Sequence, residues 1–251
     1  MTFTELHQQE RPLLIGNVWD ARSAAIAAEL DFQALGTSSA AMASVLGYAD
    51  GEEMSFTEME SLIQTIQRGA ELPLSVDLEA GYSQRAEEVA AHVAQLATMG
   101  VVGINIEDSR VEHNRHLVEA EAFADLIAEV KHILKSKEID IFINVRTDAF
   151  LLGHSNALKE AQRRTALYEK AGADGIFAPC MVKAHDIAAM VDSTALPLNV
   201  MCMPDLPDFE TLQKLGVKRI SMGNFLFDKM YQDLKRLTEK VLSSASFKPV
   251  F

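Results

Sequence analysis

Hydrophobic and polar positions along the chain follow a unit that recurs without strict sequence repetition. In each copy an amphipathic helical pattern ends at or near glycine and a short apolar run follows, as in ATMG-VVGINIED, EKAG-ADGIFAPC and QKLG-VKRISMGN. A fourth copy, AELD-FQALGTSS, has Asp31 where the others have glycine. Because glycine suits the left-handed residue that terminates a helix, the pattern predicts helices followed directly by strands.

The apolar runs are nearly continuous, which is typical of strands buried on both faces. They cover residues 13–17, 34–38, 73–78, 102–107, 141–147, 175–179, 196–201 and 219–223. Eight strands alternating with helices predict an α/β protein with a (β/α)8 TIM barrel. The alternative is an open doubly wound sheet, but no G-x-G-x-x-G motif follows the first strand. We expect residues 1–251 to form one barrel domain with a C-terminal helix near 225–243 and a short tail.

Composition changes this picture little. The formal net charge of −13 disfavours a nucleic-acid partner and an anionic membrane surface. The N-terminal segment lacks the pattern of a secretory signal, and two cysteines are too few for a disulfide framework. We therefore expect a cytoplasmic protein that binds neither nucleic acid nor membrane.

Acidic residues stand where two neighbouring strands end. Asp77 and Glu79 are two positions apart in SVDLEAGY, so both side chains leave the strand on one face, and Glu107 ends the next strand. Three carboxylates so close would repel one another unless a cation lay between them. Oxygen ligands without His or Cys favour a hard ion, so the cluster predicts a Mg²⁺ site, with Mn²⁺ as an alternative ion. The other interpretation is that these acids cap helices or pair with arginines.

Further polar residues lie at the same predicted rim. Arg146 in INVRTDAF could hold a carboxylate or phosphonate with its guanidinium fork, or could form an ion pair with Asp148 or Glu107. The segment 37–39 (TSS) could donate backbone N–H groups to a substrate oxygen, or simply cap the next helix. Trp19, the only tryptophan, is a candidate substrate contact, although packing is the ordinary role of a lone aromatic residue.

The segment 109–118, SRVEHNRHLV, joins the fourth strand to a helix beginning near residue 119. It holds an unusual density of groups that bind anions or move protons, and we take His113 and Asn114 from it as candidate catalytic residues. A polar loop of this length beside the predicted metal site is a candidate lid. A solvated charged loop is the alternative.

The motifs NVWDARSA, GTSSAAMASVLGYADG, LPLSVDLEAGY, GINIED and INVRTDAF resemble, in order and spacing, the isocitrate lyase / phosphoenolpyruvate mutase superfamily. The similarity runs from about residue 10 to residue 230. It implies a (β/α)8 barrel, a bound Mg²⁺ and a homo-oligomer, either a dimer or a tetramer built as a dimer of dimers.

The resemblance also implies roles for individual residues. Asp77 would be the principal metal ligand, with Glu79 and Glu107 acting largely through water, and Asp50 a further acid of the same network. The backbone of Ser38, Ser39 and Ala40 would hold the oxygens of a 2-oxo acid. Arg146 would bind the anionic end of the substrate, and Asn199 would help to bind a carboxylate.

The segment EHNRH departs from this resemblance. Lyases of the superfamily carry K-[KR]-C-G-H in the loop after the fourth strand, and the mutase branch carries Lys–Thr–Asn, whereas this chain has neither. We therefore expect a Mg²⁺-dependent lyase or decarboxylase that cleaves a C–C or P–C bond of a small 2-oxo or 2-hydroxy acid through an enolpyruvate-like intermediate.

Three alternatives remain open at this point. They are a phosphoenolpyruvate mutase or phosphonopyruvate hydrolase, a metabolite-binding barrel without turnover, and a Schiff-base aldolase. The aldolase is disfavoured because Lys183 lies beyond the sixth strand and not on it.

Overall fold

The computed structural model describes residues 1–251 and has a barrel of parallel strands surrounded by helices. The predicted (β/α)8 barrel is confirmed, and each of the eight predicted strand positions contains a strand. The barrel strands are β1 (Leu13–Leu14), β2 (Gly16–Val18), β3 (Leu35–Thr37), β4 (Leu74–Asp77), β5 (Val101–Glu107), β8 (Phe142–Arg146), β9 (Gly175–Phe177), β10 (Leu198–Met201) and β11 (Arg219–Ser221).

The barrel closes through its first strand. Only Ile15 separates β1 from β2, and these two short strands lie at opposite ends of the nine-stranded order β1-β11-β10-β9-β8-β5-β4-β3-β2. Leu13 pairs with Arg219 on β11, whereas Val18 pairs with Thr37 on β3. The segment 13–18 therefore acts as one barrel strand that pairs with β11 on one side and with β3 on the other, and this pairing closes an eight-stranded barrel.

The helices begin at the capping residues that the sequence supplies. Ser55 and Asp20 form capping boxes at the starts of α4 (Phe56–Gln67) and α2 (Ala21–Glu29), and Gly47 ends α3 (Ser39–Leu46) in the left-handed conformation. The helices are α1 (Phe3–Leu6), α2 (Ala21–Glu29), α3 (Ser39–Leu46), α4 (Phe56–Gln67), α5 (Ala86–Thr98), α6 (Ala120–Ser136), α7 (Ala157–Lys170), α8 (Ala184–Val191), α9 (Phe209–Lys214), α10 (Phe225–Ser244) and a 3₁₀ turn (Lys248–Val250). No helix is both long and apolar enough to cross a membrane.

The segment after β5 is not an irregular loop. It forms an antiparallel hairpin of β6 (Ser109–Val111) and β7 (Arg115–Leu117), in which Val111 pairs with Arg115 and Ser109 with Leu117. Residues 112–114 make its tip. The hairpin stands on the carboxyl-terminal rim of the barrel, beside the ends of β5 and β8.

Helix α1 packs against the amino-terminal end of the barrel. Phe3 and Leu6 form a small buried cluster with Phe142 and barrel-strand residues. The ring of His7 stacks on Phe142 with centroids 4.3 Å apart, and its Nδ1–H donates to the carbonyl of Phe3 at 2.9 Å. Burial lowers the pKa of His7 to about 3. This end of the barrel is therefore covered, and the opposite rim carries the polar groups.

Helix α10 is the exception among the outer helices. Along its twenty residues only Phe227 is buried, although Met230 and Leu234 continue an apolar stripe at helical spacing. Met230 is 46% exposed and Leu234 is 55% exposed. An amphipathic helix whose apolar stripe faces water has not buried the surface that its sequence provides.

Candidate active site

Asp77 lies at the end of β4 and is held by the start of α3. The hydroxyl of Ser39 donates to Asp77 Oδ2 at 2.8 Å, and the N–H of Ser39 approaches the same oxygen at 3.4 Å. Thr37 Oγ1 accepts the N–H of Asp77 at 2.8 Å. Burial raises the pKa of the Asp77 carboxyl, whereas Arg146 and Ser39 oppose the shift. The second carboxylate oxygen, Oδ1, has no hydrogen-bond partner in the protein, so it is the oxygen available to a ligand.

Glu79 is fixed in a strained turn just beyond β4. Its φ of +51° lies in the left-handed region, which is uncommon for a residue with a side chain. The N–H of Glu52 donates to Glu79 Oε2 at 2.6 Å and the hydroxyl of Tyr82 donates to Oε1 at 3.1 Å. Burial, followed by repulsion from Asp50 and Asp77, raises the pKa of Glu79 to about 7. The mutual repulsion shows that these acids share one electrostatic environment.

Glu107 ends β5 in register with Arg146 on β8. Arg146 Nη1 lies 2.9 Å from Glu107 Oε2, and its Nε and Nη2 donate to the two oxygens of Asp148 at 2.6 and 3.2 Å. Burial raises the pKa of Glu107, and the guanidinium groups of Arg146 and Arg115 oppose that shift. The ion pairs that the sequence left open for Arg146, with Glu107 and with Asp148, are both formed.

Arg115 enters this acid cluster from the hairpin. Its Nη2 donates to Asp50 at 2.7 Å, and its Nη1 forms an ion pair with Glu107 and lies 3.1 Å from the hydroxyl of Ser109. Nη1 is also 3.4 Å from Asp148. Sequence reasoning named the neighbours His113 and Asn114 as candidates and not Arg115. A strand alternation through RHL would have been the signal, since it directs Arg115 and His116 to opposite faces.

The structure brings Asp50, Asp77, Glu79, Glu107 and Arg146 together as expected. A cavity of about 120 Å³ beside Glu79 and Glu107 is bounded by Glu52 and by the hairpin. Ser38 is the N-cap of α3, where its hydroxyl accepts the N–H of Ala41 at 3.4 Å, and Ala40 occupies the first turn of that helix. The N–H groups of a first helical turn have no intrahelical partners, and here the N–H of Ser39 faces Asp77.

Four predicted residues do not join this group. Asn199 is fully buried in the barrel interior, where its amide donates to the carbonyl of Val200 and to Ser221, and Asn144 donates to its oxygen. Trp19 packs edge-on against Phe227 with centroids 5.3 Å apart. His113 and Asn114 are exposed at the hairpin tip. Their candidate roles therefore stay predictions.

The oxygen ligands of these acids suit a hard cation, although the side chains do not form a preformed metal site. No three His, Cys, Asp or Glu side chains are arranged to hold a metal ion directly. Asp77 nevertheless offers a free carboxylate oxygen, and its acidic neighbours raise the pKa values of one another. Because Mg²⁺ keeps several waters and uses few carboxylates, this donor set suits an ion held by one acid and by water bound to the others.

Comparison with known proteins decides the family. The sequence profile described as phosphoenolpyruvate phosphomutase matches residues 3–242. The chain belongs to this family. Its members include lyases and mutases, and the protein is an enzyme of this lyase and mutase type.

Three relatives give the range of the family. The chain is 33% identical over 224 residues to an uncharacterized protein of Mycobacterium tuberculosis, covering 89% of this chain and 82% of the relative. It is 32% identical to the oxaloacetate decarboxylase of Ectopseudomonas mendocina, covering 88% of this chain and 77% of that enzyme. The crystal structure of a phosphonomutase candidate from Burkholderia cenocepacia J2315 superposes with a TM-score of 0.89 at 35% identity, covering 94% and 97% of the two chains.

Proposed function

We propose that this enzyme is a Mg²⁺-dependent lyase that decarboxylates oxaloacetate or a closely similar 2-oxo dicarboxylic acid. The observation that carries the proposal is the Asp77 carboxylate, oriented by Ser39 with one oxygen free, among further acids at the barrel rim. The 32% identity to an oxaloacetate decarboxylase supports the choice of substrate.

Asp77 would hold the divalent ion directly, and Glu79, Glu107 and Asp50 would reach it through water. Mn²⁺ is expected to substitute for Mg²⁺ because both take oxygen ligands. When bound, the ion would supply Lewis-acid polarisation of the keto oxygen of the substrate.

The side chains of the enzyme would position the substrate and balance its charge. Cleavage of the C3–C4 bond releases CO₂, the electron pair moves into an enolate, and addition of a proton at C3 gives pyruvate. The N–H groups at the start of α3, from Ser39 and Ala40, would donate to the oxygens of the 2-oxo acid. Arg146, fixed by Asp148, would keep a positive charge beside the substrate. His113 and Asn114 would take part only if the hairpin tip folded inward.

The test is pyruvate release from oxaloacetate with and without Mg²⁺, for the wild-type enzyme and for Asp77→Asn. Turnover should require the ion and should fall at least about 100-fold in Asp77→Asn, the scale on which one interaction with developing transition-state charge contributes. Asp125→Asn, an exposed substitution on α6, is the matched control and should be unaffected. Full Mg²⁺-dependent turnover by Asp77→Asn would refute the role of Asp77.

Phosphonopyruvate belongs in the same assay, because a phosphonomutase candidate is among the similar structures. Conversion of phosphonopyruvate without decarboxylation of oxaloacetate would assign P–C chemistry instead. Mg²⁺-dependent oxalate binding without turnover of any 2-oxo acid would assign a metabolite-binding barrel.

We also propose that the enzyme is a homo-oligomer, a dimer or a tetramer. The exposed apolar stripe of α10 supports this, because a second copy would bury Met230 and Leu234. We further propose a cytoplasmic location for the enzyme.

A further inference from the structure

The hairpin β6–β7 presents its two arginines to different surroundings. Arg110 pairs in register with His116 and forms no ion pair, whereas Arg115 pairs with Val111 and reaches Asp50 and Glu107. Arg110 borders a surface depression with Glu112 and Glu129. Arg110 also lines the cavity beside Glu79 and Glu107, without an ion pair to either acid. Arg115 is therefore the arginine of the hairpin that forms ion pairs with the acids of the site.

The partners of Arg115 differ in how firmly they are fixed. The Asp148 side chain is fully buried and the Glu107 side chain is 5% exposed, but the Asp50 side chain is 43% exposed. Asp50 lies in the segment between α3 and α4, outside any helix or strand. Exchanging a solvated carboxylate for that of a ligand costs little desolvation, whereas exchanging a buried one costs much more. Asp50 is thus the partner that an incoming anion can replace.

Arg146, in contrast to Arg115, has all of its ion-pair partners among buried acids. Its Nε and Nη2 are both held by Asp148 and its Nη1 by Glu107. Both partners are buried acids of the barrel rim, so the Arg146 guanidinium is fixed by the fold. Arg115, whose side chain is 16% exposed, keeps its Nε without a hydrogen-bond partner and holds Asp50 through one Nη2 contact.

We propose that Arg115 binds the second carboxylate of the substrate, exchanging Asp50 for it, and that it thereby selects dicarboxylic over monocarboxylic 2-oxo and 2-hydroxy acids. The inference rests on the proposed function in that the ligand is such an acid, but it does not require decarboxylation. A guanidinium is suited to this task because its planar donors match a carboxylate.

Malate and lactate are matched probes, since both are 2-hydroxy acids and only malate has a second carboxylate. Their dissociation constants are measured by competition against oxalate in saturating Mg²⁺. We expect the wild-type enzyme to prefer malate, and we expect Arg115→Gln to reduce the preference at least about tenfold, with Arg115→Lys intermediate. Arg163→Gln, at an exposed position of α7, should keep the wild-type preference.

Oxalate affinity serves as the check on folding, because the two carboxylates of oxalate would take the place of the 2-oxo acid group and leave none to reach Arg115. It should change less than about threefold in Arg115→Gln. A wild-type enzyme that does not prefer malate, an unchanged preference in Arg115→Gln, or a parallel loss of oxalate and malate affinity in both Arg115 variants would each overturn the proposal. Failure of the proposed function shows separately, as absence of pyruvate release from oxaloacetate.

Discussion

Asp148 holds the guanidinium of Arg146 in place, and its replacement by Asn tests how much this ion pair contributes to the free energy of unfolding. The Asp148 side chain is fully buried and accepts from Arg146 Nε at 2.6 Å, from Arg146 Nη2 at 3.2 Å and from the hydroxyl of Ser109. Asn has nearly the same shape, so packing is retained while the negative charge is lost. The substitution therefore isolates the electrostatic role of this carboxylate.

Removing one partner of a buried ion pair costs about 3–5 kcal/mol, because the other charge is left uncompensated. Here Arg146 keeps Glu107 as a partner at 2.9 Å, so the lower end of that range is expected. We predict that Asp148→Asn reduces the free energy of unfolding by about 3 kcal/mol. Because the guanidinium is no longer held in place, turnover should fall as well.

The assay is urea unfolding at pH 7, at one fixed protein concentration because oligomer stability depends on concentration. The midpoint should move to lower urea with an unchanged m-value. Glu210→Gln is the control. Both side chains of the Glu210–Lys214 ion pair are exposed, so the pair should contribute less than about 1 kcal/mol to the free energy of unfolding. A midpoint for Asp148→Asn that equals that of Glu210→Gln would refute the reasoning.

The remaining predictions concern the two ends of the molecule. The pKa of His7 is lowered to about 3 in the folded protein, so below pH 6.5 the unfolded chain binds a proton at His7 that the folded protein does not. The free energy of unfolding is therefore highest above pH 6.5 and decreases as the pH falls towards 3. Between pH 6.5 and pH 4 the loss from His7 should reach about 3 kcal/mol, measured as the difference in pH dependence of unfolding between wild type and His7→Gln; equal slopes would contradict it. On α10, Leu234→Glu should lower the oligomer mass in light scattering while Lys235→Glu, on the charged face, does not; an unchanged mass in Leu234→Glu would contradict the interface.

Much of the fold was readable from the sequence because its signals are local. A strand buried on both faces needs a continuous apolar run, and a helix that ends at glycine leaves a visible stop, so the eight barrel strands could be placed. The order of strands in a barrel then fixes which chain segments become neighbours. This is why Asp77, Glu79, Glu107 and Arg146, each at a strand end, were expected at one rim.

What the sequence could not show depends on contacts between distant segments. Arg115 stands in a polar run whose neighbours look equally reactive. Strand alternation indicates its direction, but its contacts with Asp50 and Asp148 join it to distant parts of the chain. Asn199 is polar and sits on a strand, but its depth in the barrel follows from the register with β9 and β11.

By itself, the sequence determined the barrel and the acids at its rim, because hydrophobic periodicity and strand ends are properties of short segments. Tertiary structure decided which arginine or hydroxyl group each acid contacts. Glu107 lies between Arg146 from the next strand and Arg115 from the hairpin, and Asp77 is oriented by Ser39 at the start of a helix. Such pairings depend on side-chain direction and burial, which are set only when the strands have closed around a common core.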